Sequence, residues 1–220
     1  MVLSISLLAL TMIINVSFAA TDKIAGSKSV GSLWEDDFKS PISNLKMHYD
    51  YDNNGALKKV NCNFTTKKKN YLIKSVVMRY ESGSAKTYNA KNKKSITINI
   101  PKDNYSGLYY TITYSNNIVE DNSNFTSNSH YGGNYFAGKK VKFTQYYKAS
   151  PDSGNPIGKI KYTIDSKKKS TKIKQVTMKF SYRSNGKLLY KPVKMKVKGK
   201  NTVVKEMPNK YSFVSANIVY

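Results

Sequence analysis

Apolar and polar residues alternate one by one through most of the chain after residue 40. Side chains on a β-strand point alternately to its two faces, so this period predicts half-buried strands in antiparallel sheets. Asn-Gly and Ser-Gly pairs separate the alternating runs and predict tight hairpin turns. The sequence therefore predicts an all-β fold. The apolar positions with the clearest core-facing phase are Val60, Cys62, Phe64, Val76, Met78, Ile160, Tyr162, Ile164, Val176 and Met178.

Residues 59–80 and 159–180 match at an offset of 100 without a gap, and eight of the 22 positions are identical. The identical pairs include apolar positions such as Ile73/Ile173 and Met78/Met178 as well as lysines. Short strands at this spacing are typical of a β-sandwich, so we expect one sandwich repeat over residues 41–116 and a second over residues 137–220. Residues 117–136 have the Asn, Ser and Gly content of a linker, and residues 20–40 form an N-terminal segment.

A run of residues in the second repeat also carries a family resemblance. It comprises residues 173–178, Tyr182, Tyr190, Pro192, the Met207-Pro208 turn and the closing residues 214–220. This run resembles the Ig-like or fibronectin-III-like repeats of prokaryotic surface proteins. The resemblance implies two tandem antiparallel β-sandwiches of that class, serving as spacers or as adhesive modules.

Residues 2–20 contain no charged residue and end in small side chains, which is the pattern of a secretory signal peptide. Ser17-Phe18-Ala19 predicts cleavage after Ala19, so residues 1–19 are the expected signal. The run is also long enough to serve as an uncleaved membrane anchor. Both alternatives predict an exported, secreted or cell-surface protein.

The chain contains a single cysteine, Cys62, so no intrachain disulfide is expected and a core must hold the fold. Few residues suited to catalysis are present, and we expect a non-enzymatic protein without a cofactor. His48 has the phase of an outward strand residue, and His130 falls in the predicted linker. Residues 50–55 match the first half of a calcium loop, but Asn61 stands where a bidentate glutamate belongs, which favours a polar turn.

Positive charge is concentrated in the second repeat. Residues 20–136 hold 16 basic and 10 acidic residues, a net of +6, whereas residues 137–220 hold 21 basic and 3 acidic residues, a net of +18. A one-sided field of this kind favours encounter with polyanions. The residues predicted to bind polyanions are Lys67, Lys68, Lys69, Lys167, Lys168, Lys169, Lys194, Lys196, Lys198 and Lys200.

The last four of these lysines share one face of a strand whose other face is Val193, Met195 and Val197, which predicts a ladder of ammonium groups about 6.5–7 Å apart. Lysines on an edge strand also prevent edge-to-edge aggregation, and this alternative explains part of the pattern. The expected function is binding of an anionic polymer, such as a wall polymer or an acidic glycan, or of the cell envelope, with extracellular nucleic acid as another partner. The alternatives are a structural spacer of the envelope and a small secreted β-toxin.

Overall fold

Residues 19–102 and 109–220 are described by a computed structural model, and they are almost entirely β-strand. The all-β antiparallel prediction is therefore confirmed. The predicted signal segment, apart from Ala19, lies outside the described residues. Within the described ranges, no helix is long and apolar enough to cross a membrane. The strands are β1 Thr21–Ala25, β2 Ser29–Lys39, β3 Ser43–Asp52, β4 Leu57–Thr66, β5 Ile73–Arg79, β6 Ala85–Lys93, β7 Ser95–Ile100, β8 Tyr109–Tyr114, β9 Val119–Asp121, β10 Thr126–Ala137, β11 Val141–Ala149, β12 Pro156–Ser166, β13 Ile173–Ser184, β14 Lys187–Lys200, β15 Thr202–Pro208 and β16 Ser212–Val219.

Antiparallel pairing joins these strands into three sheets. The largest has eight strands in the order β15-β12-β11-β10-β2-β3-β4-β7, and the two smaller sheets have the orders β6-β5-β8-β9 and β1-β16-β13-β14. The order β7-β4-β3-β2 in the first half of the chain corresponds to β15-β12-β11-β10 in the second half. This correspondence agrees with the predicted internal repeat, which itself stays a prediction. The two halves share one sheet rather than standing as two closed sandwiches joined by a linker.

The centre of the shared sheet is the pairing of β2 with β10, and it corrects the linker prediction for residues 117–136. That segment forms β9, a 3-10 turn at Asn122–Asn124 and most of β10. Two of its residues, Gly132 and Gly133, must be glycine because neighbouring atoms leave no room for a side chain. A Cβ on Gly132 would lie 2.8 Å from the ring of Tyr147, and one on Gly133 would lie 2.3 Å from the carbonyl oxygen of Gln145.

Both four-stranded sheets pack on the same face of the shared sheet. Directly opposed residues of antiparallel strands share a face, and one continuous row of such partners crosses six strands. The row consists of Val60, Tyr49, Trp34, Gly132, Tyr147 and Ile160. Two separate apolar cores lie beneath this face, one in each half.

The residues predicted to form the core are buried. Among the ten alternating positions, Val60, Cys62 and Phe64 have no exposed surface, and Ile160 is the most accessible at 3 %. Burial raises the pKa of the Cys62 thiol to about 12, which leaves it protonated and inert at neutral pH. The prediction of a packed core thiol is confirmed.

The smaller sheet of each half gains an edge strand that lies outside the residues predicted for that repeat, 41–116 or 137–220. β1, at the N-terminal side, pairs with β16 at the far end of the described chain, from Thr21↔Val219 to Ala25↔Ser215. Its residue Ile24 belongs to the core of the second half. In the same way β9 pairs with β8, and Phe125, which follows it, packs in the core of the first half.

Candidate polyanion-binding site

Two of the ten predicted lysines are bonded to the fold itself. The Nζ of Lys167 donates to the carbonyl oxygen of Gly138 at 2.8 Å, in the turn between β10 and β11. The Nζ of Lys67 donates in the same manner to the carbonyl oxygen of Ser40, in the turn between β2 and β3. Each lysine therefore ties the loop that leaves the shared sheet to a neighbouring turn.

The loop that carries Lys168 and Lys169 is held against the turn between β14 and β15. The side-chain Nδ2 of Asn201 donates to the carbonyl oxygen of Lys169 at 2.9 Å and to that of Thr171 at 3.0 Å. Its Oδ1 accepts a hydrogen bond from the Nζ of Lys172 at 2.5 Å. One asparagine thus fixes the lysine loop beside the residue that follows Lys200.

The predicted ladder on β14 is regular only for its first two members. Lys194 lies opposite Thr177 and Lys196 lies opposite Gln175. Lys198 and Gly199 then adopt positive φ angles of 50° and 74°, and Lys200 pairs with Ile173. Four residues of β14 therefore oppose two of β13, which is a β-bulge, and the prediction of four evenly spaced ammonium groups is wrong beyond Lys196.

The bulge brings the end of β14 to the lysine loop. A Cβ on Gly199 would lie 3.9 Å from the Cβ of Lys172, and the backbone N–H of Lys167 donates to the carbonyl oxygen of Lys140 at 2.9 Å. Three segments that are distant in sequence therefore form one cationic surface, which we call the basic end. Its members, all exposed, are Lys139, Lys140, Lys167, Lys168, Lys169, Lys172, Lys198 and Lys200.

A shallow depression of about 290 Å³ adjoins the basic end, between the edge strands β14 and β15. Lys196, Lys198 and Lys200 line it from β14, and no carboxylate lines it among the described residues. Two acids lie beside the basic end in the fold. Asp165 accepts a hydrogen bond from the hydroxyl of Thr202 at 2.7 Å, and Asp22 is buried and accepts the N–H of Lys140.

The first half of the chain has a similar but weaker cluster. Its bulge falls at Lys91 and Asn92, with φ angles of 51° and 57°, and a depression of about 350 Å³ lies between β6 and β7. Leu72 stands where the second half has Lys172, and its β2–β3 turn contains no lysine. The lysines of this first-half cluster are Lys67, Lys68, Lys69, Lys91, Lys93 and Lys94.

The two clusters lie at opposite ends of the shared sheet. The turn after β2 and the turn after β10 each lie beside one cluster, and β2 and β10 are antiparallel neighbours. β2 has 11 residues, so these turns are separated by roughly 35 Å along the strands at about 3.3 Å per residue. The six lysines of the loops predicted to bind polyanions are therefore divided between two separate surfaces.

A network around Glu35, which the sequence analysis did not single out, occupies the other face of the shared sheet. One carboxylate oxygen of Glu35 lies 2.9 Å from Nδ1 of His48, and the other accepts the hydroxyl of Tyr146 at 2.7 Å and lies 3.3 Å from the Nζ of Lys46. The hydrogen bond with His48, followed by those with Tyr146 and Lys46, lowers the pKa of Glu35 from 4.5 to about 2. The carboxylate is fully partnered, so its role is to hold β2, β3 and β11 together.

The remaining candidates for chemistry also have partners within the fold. His130 lies on β10 rather than in a linker, and its Nδ1 is 2.5 Å from the carboxylate of Asp36. His48 and Cys62 lie on opposite faces of the shared sheet, as their strand phases predict. In the partial calcium motif, the carboxylate of Asp52 accepts the N–H groups of Asn54 and Ala56, which is the geometry of a turn. Within the described ranges, no group of three His, Cys, Asp or Glu residues is placed to hold a metal ion.

Sequence reasoning missed Lys139, Lys140 and Lys172 because each stands apart from the lysine runs that were singled out. The match at an offset of 100 places Leu72 at the position of Lys172, so this extra charge was visible in the sequence. The equivalence of Lys139 and Lys140 with Pro41 and Ile42 follows only from the backbone hydrogen bonds of the two turns. The chain matches no protein family, no curated protein and no solved structure.

Proposed function

We propose that the protein is an exported, non-enzymatic binding module that holds an anionic polymer of the cell envelope, such as a wall polymer or an acidic glycan, at the basic end. The observation that carries this proposal is the convergence of eight exposed lysines from three segments at one end of the second half. The resemblance of the second repeat to modules of prokaryotic surface proteins points to the same compartment.

The proposal has a physical basis in the arrangement of charge. Two carboxylates, Asp22 and Asp165, lie beside the basic end, so eight exposed lysines outnumber the neighbouring acids and the surface keeps a net positive charge. Repulsion among like charges destabilises an unliganded cluster, and a polyanion relieves that repulsion while releasing its counterions. Neither effect demands a recognition pocket, so a repeating phosphate, sulfate or carboxylate polymer is the natural ligand.

The test replaces four lysines at the basic end whose ammonium groups the fold does not use: Lys168→Gln, Lys169→Gln, Lys198→Gln and Lys200→Gln. Binding would be measured over a salt series to poly(glycerol phosphate), to a sulfated glycan and to neutral dextran. A single-stranded oligonucleotide serves as the calibrant, because its log–log salt slope is about 0.7 per neutralised charge. The variant should lower that slope by roughly two to three units and should leave dextran unbound.

The matched control makes the equivalent changes in the first-half cluster: Lys68→Gln, Lys69→Gln, Lys91→Gln and Lys93→Gln. We expect it to lower the slope by less than about one unit. Exposed lysines contribute little to folding and the loss of like charges relieves repulsion, so neither variant should melt below the wild type. Equal effects of the two variants, or no affinity of the wild type for any anionic polymer, would reject the proposal in favour of a spacer whose lysines protect its edge strands.

A further inference from the structure

The hairpin of β13 and β14 projects beyond the sandwich, and the corresponding hairpin of the first half does not. In the first half, β5 and β6 end their pairing at Arg79↔Ala85. In the second half, five further pairs follow the equivalent position, from Phe180↔Lys191 to Ser184↔Lys187. The neighbouring strand β16 pairs with β13 only as far as Ser181, so the last three pairs have no third strand beside them. We call residues 182–191 the projecting hairpin.

The projecting hairpin exposes large apolar side chains just behind its turn. Leu188 is 51 % exposed, Leu189 is 40 % exposed and Tyr190 is 50 % exposed, and the three are consecutive. Leu188 and Leu189 point to opposite faces of the hairpin because successive strand residues alternate. Leu188 lies opposite Arg183 and Leu189 lies opposite Tyr182, and neither leucine belongs to the sandwich core. The two leucines do not form one flat patch, but exposed apolar side chains on both faces of a projecting element indicate an interaction surface.

The surroundings of the leucines are cationic and aromatic. Arg183, Lys187 and Lys191 lie on the same hairpin, which contains no acid. The Nζ of Lys179 lies 4.2 Å from the ring centre of Tyr190, and the Nζ of Lys191 lies 5.1 Å from that of Tyr211. The rings of Tyr182 and Tyr211 meet edge to face at 5.2 Å. The turn itself is Asn185-Gly186, closed by the pair of Ser184 with Lys187, and behind it the hairpin presents leucine and then tyrosine, with cations around both.

We propose that the projecting hairpin docks on an anionic lipid bilayer, with Leu188 and Leu189 in the acyl-chain boundary. Tyrosine prefers the headgroup level of a bilayer, and lysine and arginine reach back to the phosphates while their stems stay in apolar surroundings. Anionic lipid attracts each nearby cation, and buried apolar area adds to that attraction. A soluble polyanion would leave the leucines exposed, so it does not account for them.

This docking surface is distinct from the basic end and does not depend on it. The basic end lies beside Ile173, at the start of β13, whereas the projecting hairpin lies at the end of the same strand. β13 has 12 residues, so the two surfaces are separated by roughly 35–40 Å at about 3.3 Å per residue. Substitutions in one surface therefore leave the other intact.

The chain contains a matched control for the apolar patch. Ile118 and Val119 are also consecutive, exposed and located at a hairpin, between β8 and β9, but Glu120 and Asp121 follow them instead of lysines. This hairpin has the apolar component without the cationic one. It should not bind anionic bilayers.

The first experiment measures co-sedimentation with vesicles of phosphatidylglycerol and phosphatidylcholine and with vesicles of phosphatidylcholine alone. The wild type should bind only the anionic vesicles. The double variant Leu188→Ser/Leu189→Ser should bind them roughly tenfold or more weakly, and the control Ile118→Ser/Val119→Ser should bind like the wild type. Thermal melting confirms that both variants are folded, and poly(glycerol phosphate) binding should be unchanged in both.

The second experiment locates the hairpin in the bilayer. The indole introduced by Tyr190→Trp should shift its emission to shorter wavelength on anionic vesicles and should be quenched by brominated acyl chains. The indole introduced by Val119→Trp should show neither effect. An unaffected leucine variant, absence of quenching at position 190, or failure of the wild type to bind anionic vesicles would overturn the docking proposal. Loss of polymer binding alone would reject only the polymer proposal, so the two failures are distinguishable.

Discussion

Lysines that look alike in the sequence perform different tasks in the structure. Lys67 and Lys167 begin runs of three, yet their ammonium groups bond to turn carbonyls and stabilise the path of the chain. Lys168 and Lys169 follow Lys167 on the same loop, and their exposed side chains do not make the bond to the turn that Lys167 makes. A hydrogen bond from a charged donor contributes about 1.5–3 kcal/mol when it is desolvated, and less at this exposure. Charge counting alone would assign all of these lysines to the ligand.

Glu35 provides a prediction about pH. Its pKa is lowered from 4.5 to about 2 by hydrogen bonds with His48 and Tyr146 and by Lys46, so the folded state favours the ionised carboxylate. This stabilisation is present above pH 4.5, where the unfolded chain is also ionised, and it is lost as the pH falls toward 2. The free energy of unfolding of the wild type should therefore exceed that of Glu35→Gln by about 1–3 kcal/mol at neutral pH.

The difference between the wild type and Glu35→Gln should shrink between pH 4.5 and pH 2, as measured by urea denaturation. Glu206→Gln is the matched control, because Glu206 is exposed and only a 3.8 Å ion pair joins it to Lys159. The control should remain close to the wild type at every pH. A constant difference for Glu35→Gln across the range would contradict the lowered pKa.

At the scale of single elements, the bulge in β14 decides how its lysines are presented. Alternation predicts Lys194, Lys196, Lys198 and Lys200 on one face, and this holds until the chain takes positive φ angles at Lys198 and Gly199. The first half makes the corresponding bulge at Lys91 and Asn92. In each bulge the second of the two left-handed residues is glycine or asparagine, which tolerate that conformation, and the first is a lysine.

Position 199 tests this account of the bulge. A Cβ at Gly199 has room, since its nearest neighbour is 3.9 Å away, so the cost of a substitution is conformational rather than steric. Gly199→Asn copies the first-half bulge and should retain stability to within about 0.5–1 kcal/mol and the full affinity for an anionic polymer. Gly199→Val disfavours a positive φ and should destabilise the fold by about 1–2 kcal/mol.

Gly199→Val should also weaken polymer binding more than Gly199→Asn, because straightening β14 moves Lys198 and Lys200 away from the lysine loop. Urea denaturation and a binding isotherm on the same samples measure both effects. Full affinity and full stability of the valine variant would show that the bulge does not organise the basic end.

At the scale of the whole molecule, each core includes a residue that precedes the other half in sequence. β1, which precedes β2, pairs with β16, and β9, which precedes β10, pairs with β8. Ile24, at the N-terminal side, is 2 % exposed and packs in the core of the second half. Phe125, which lies just before the second half, packs in the core of the first half. The two cores lie on the same shared sheet, but no buried residue belongs to both.

A crossed pair of substitutions tests this arrangement. Ile24→Ala should cost about 2–4 kcal/mol and lower the amide exchange protection of β16, while β8 stays protected. Phe125→Ala should cost about 3–4 kcal/mol and lower the protection of β8, while β16 stays protected. Hydrogen exchange read by mass spectrometry or NMR resolves the two strands. Equal loss in both strands for both variants would show one cooperative unit instead of two cores.

The sequence alone determined the local structure of the chain. Alternation at Val60, Cys62 and Phe64 and at their counterparts 100 residues later was sufficient to predict the strands, the buried face and the inert thiol. These features follow from the two-residue period of a strand and from the transfer of apolar surface out of water, and both are properties of neighbouring residues. The concentration of lysine in the second half could likewise be read from the sequence.

Only the tertiary structure decided which distant segments meet. The pairing of β2 with β10 turned an apparent linker into the centre of a sheet, and the contact of β1 with β16 moved an N-terminal strand into the second half. The basic end arises from three segments joined by Asn201 and by the turn carbonyls. Such contacts depend on long-range strand pairing and on bulges that a period of two does not reveal, because each is set by the packing of whole sheets.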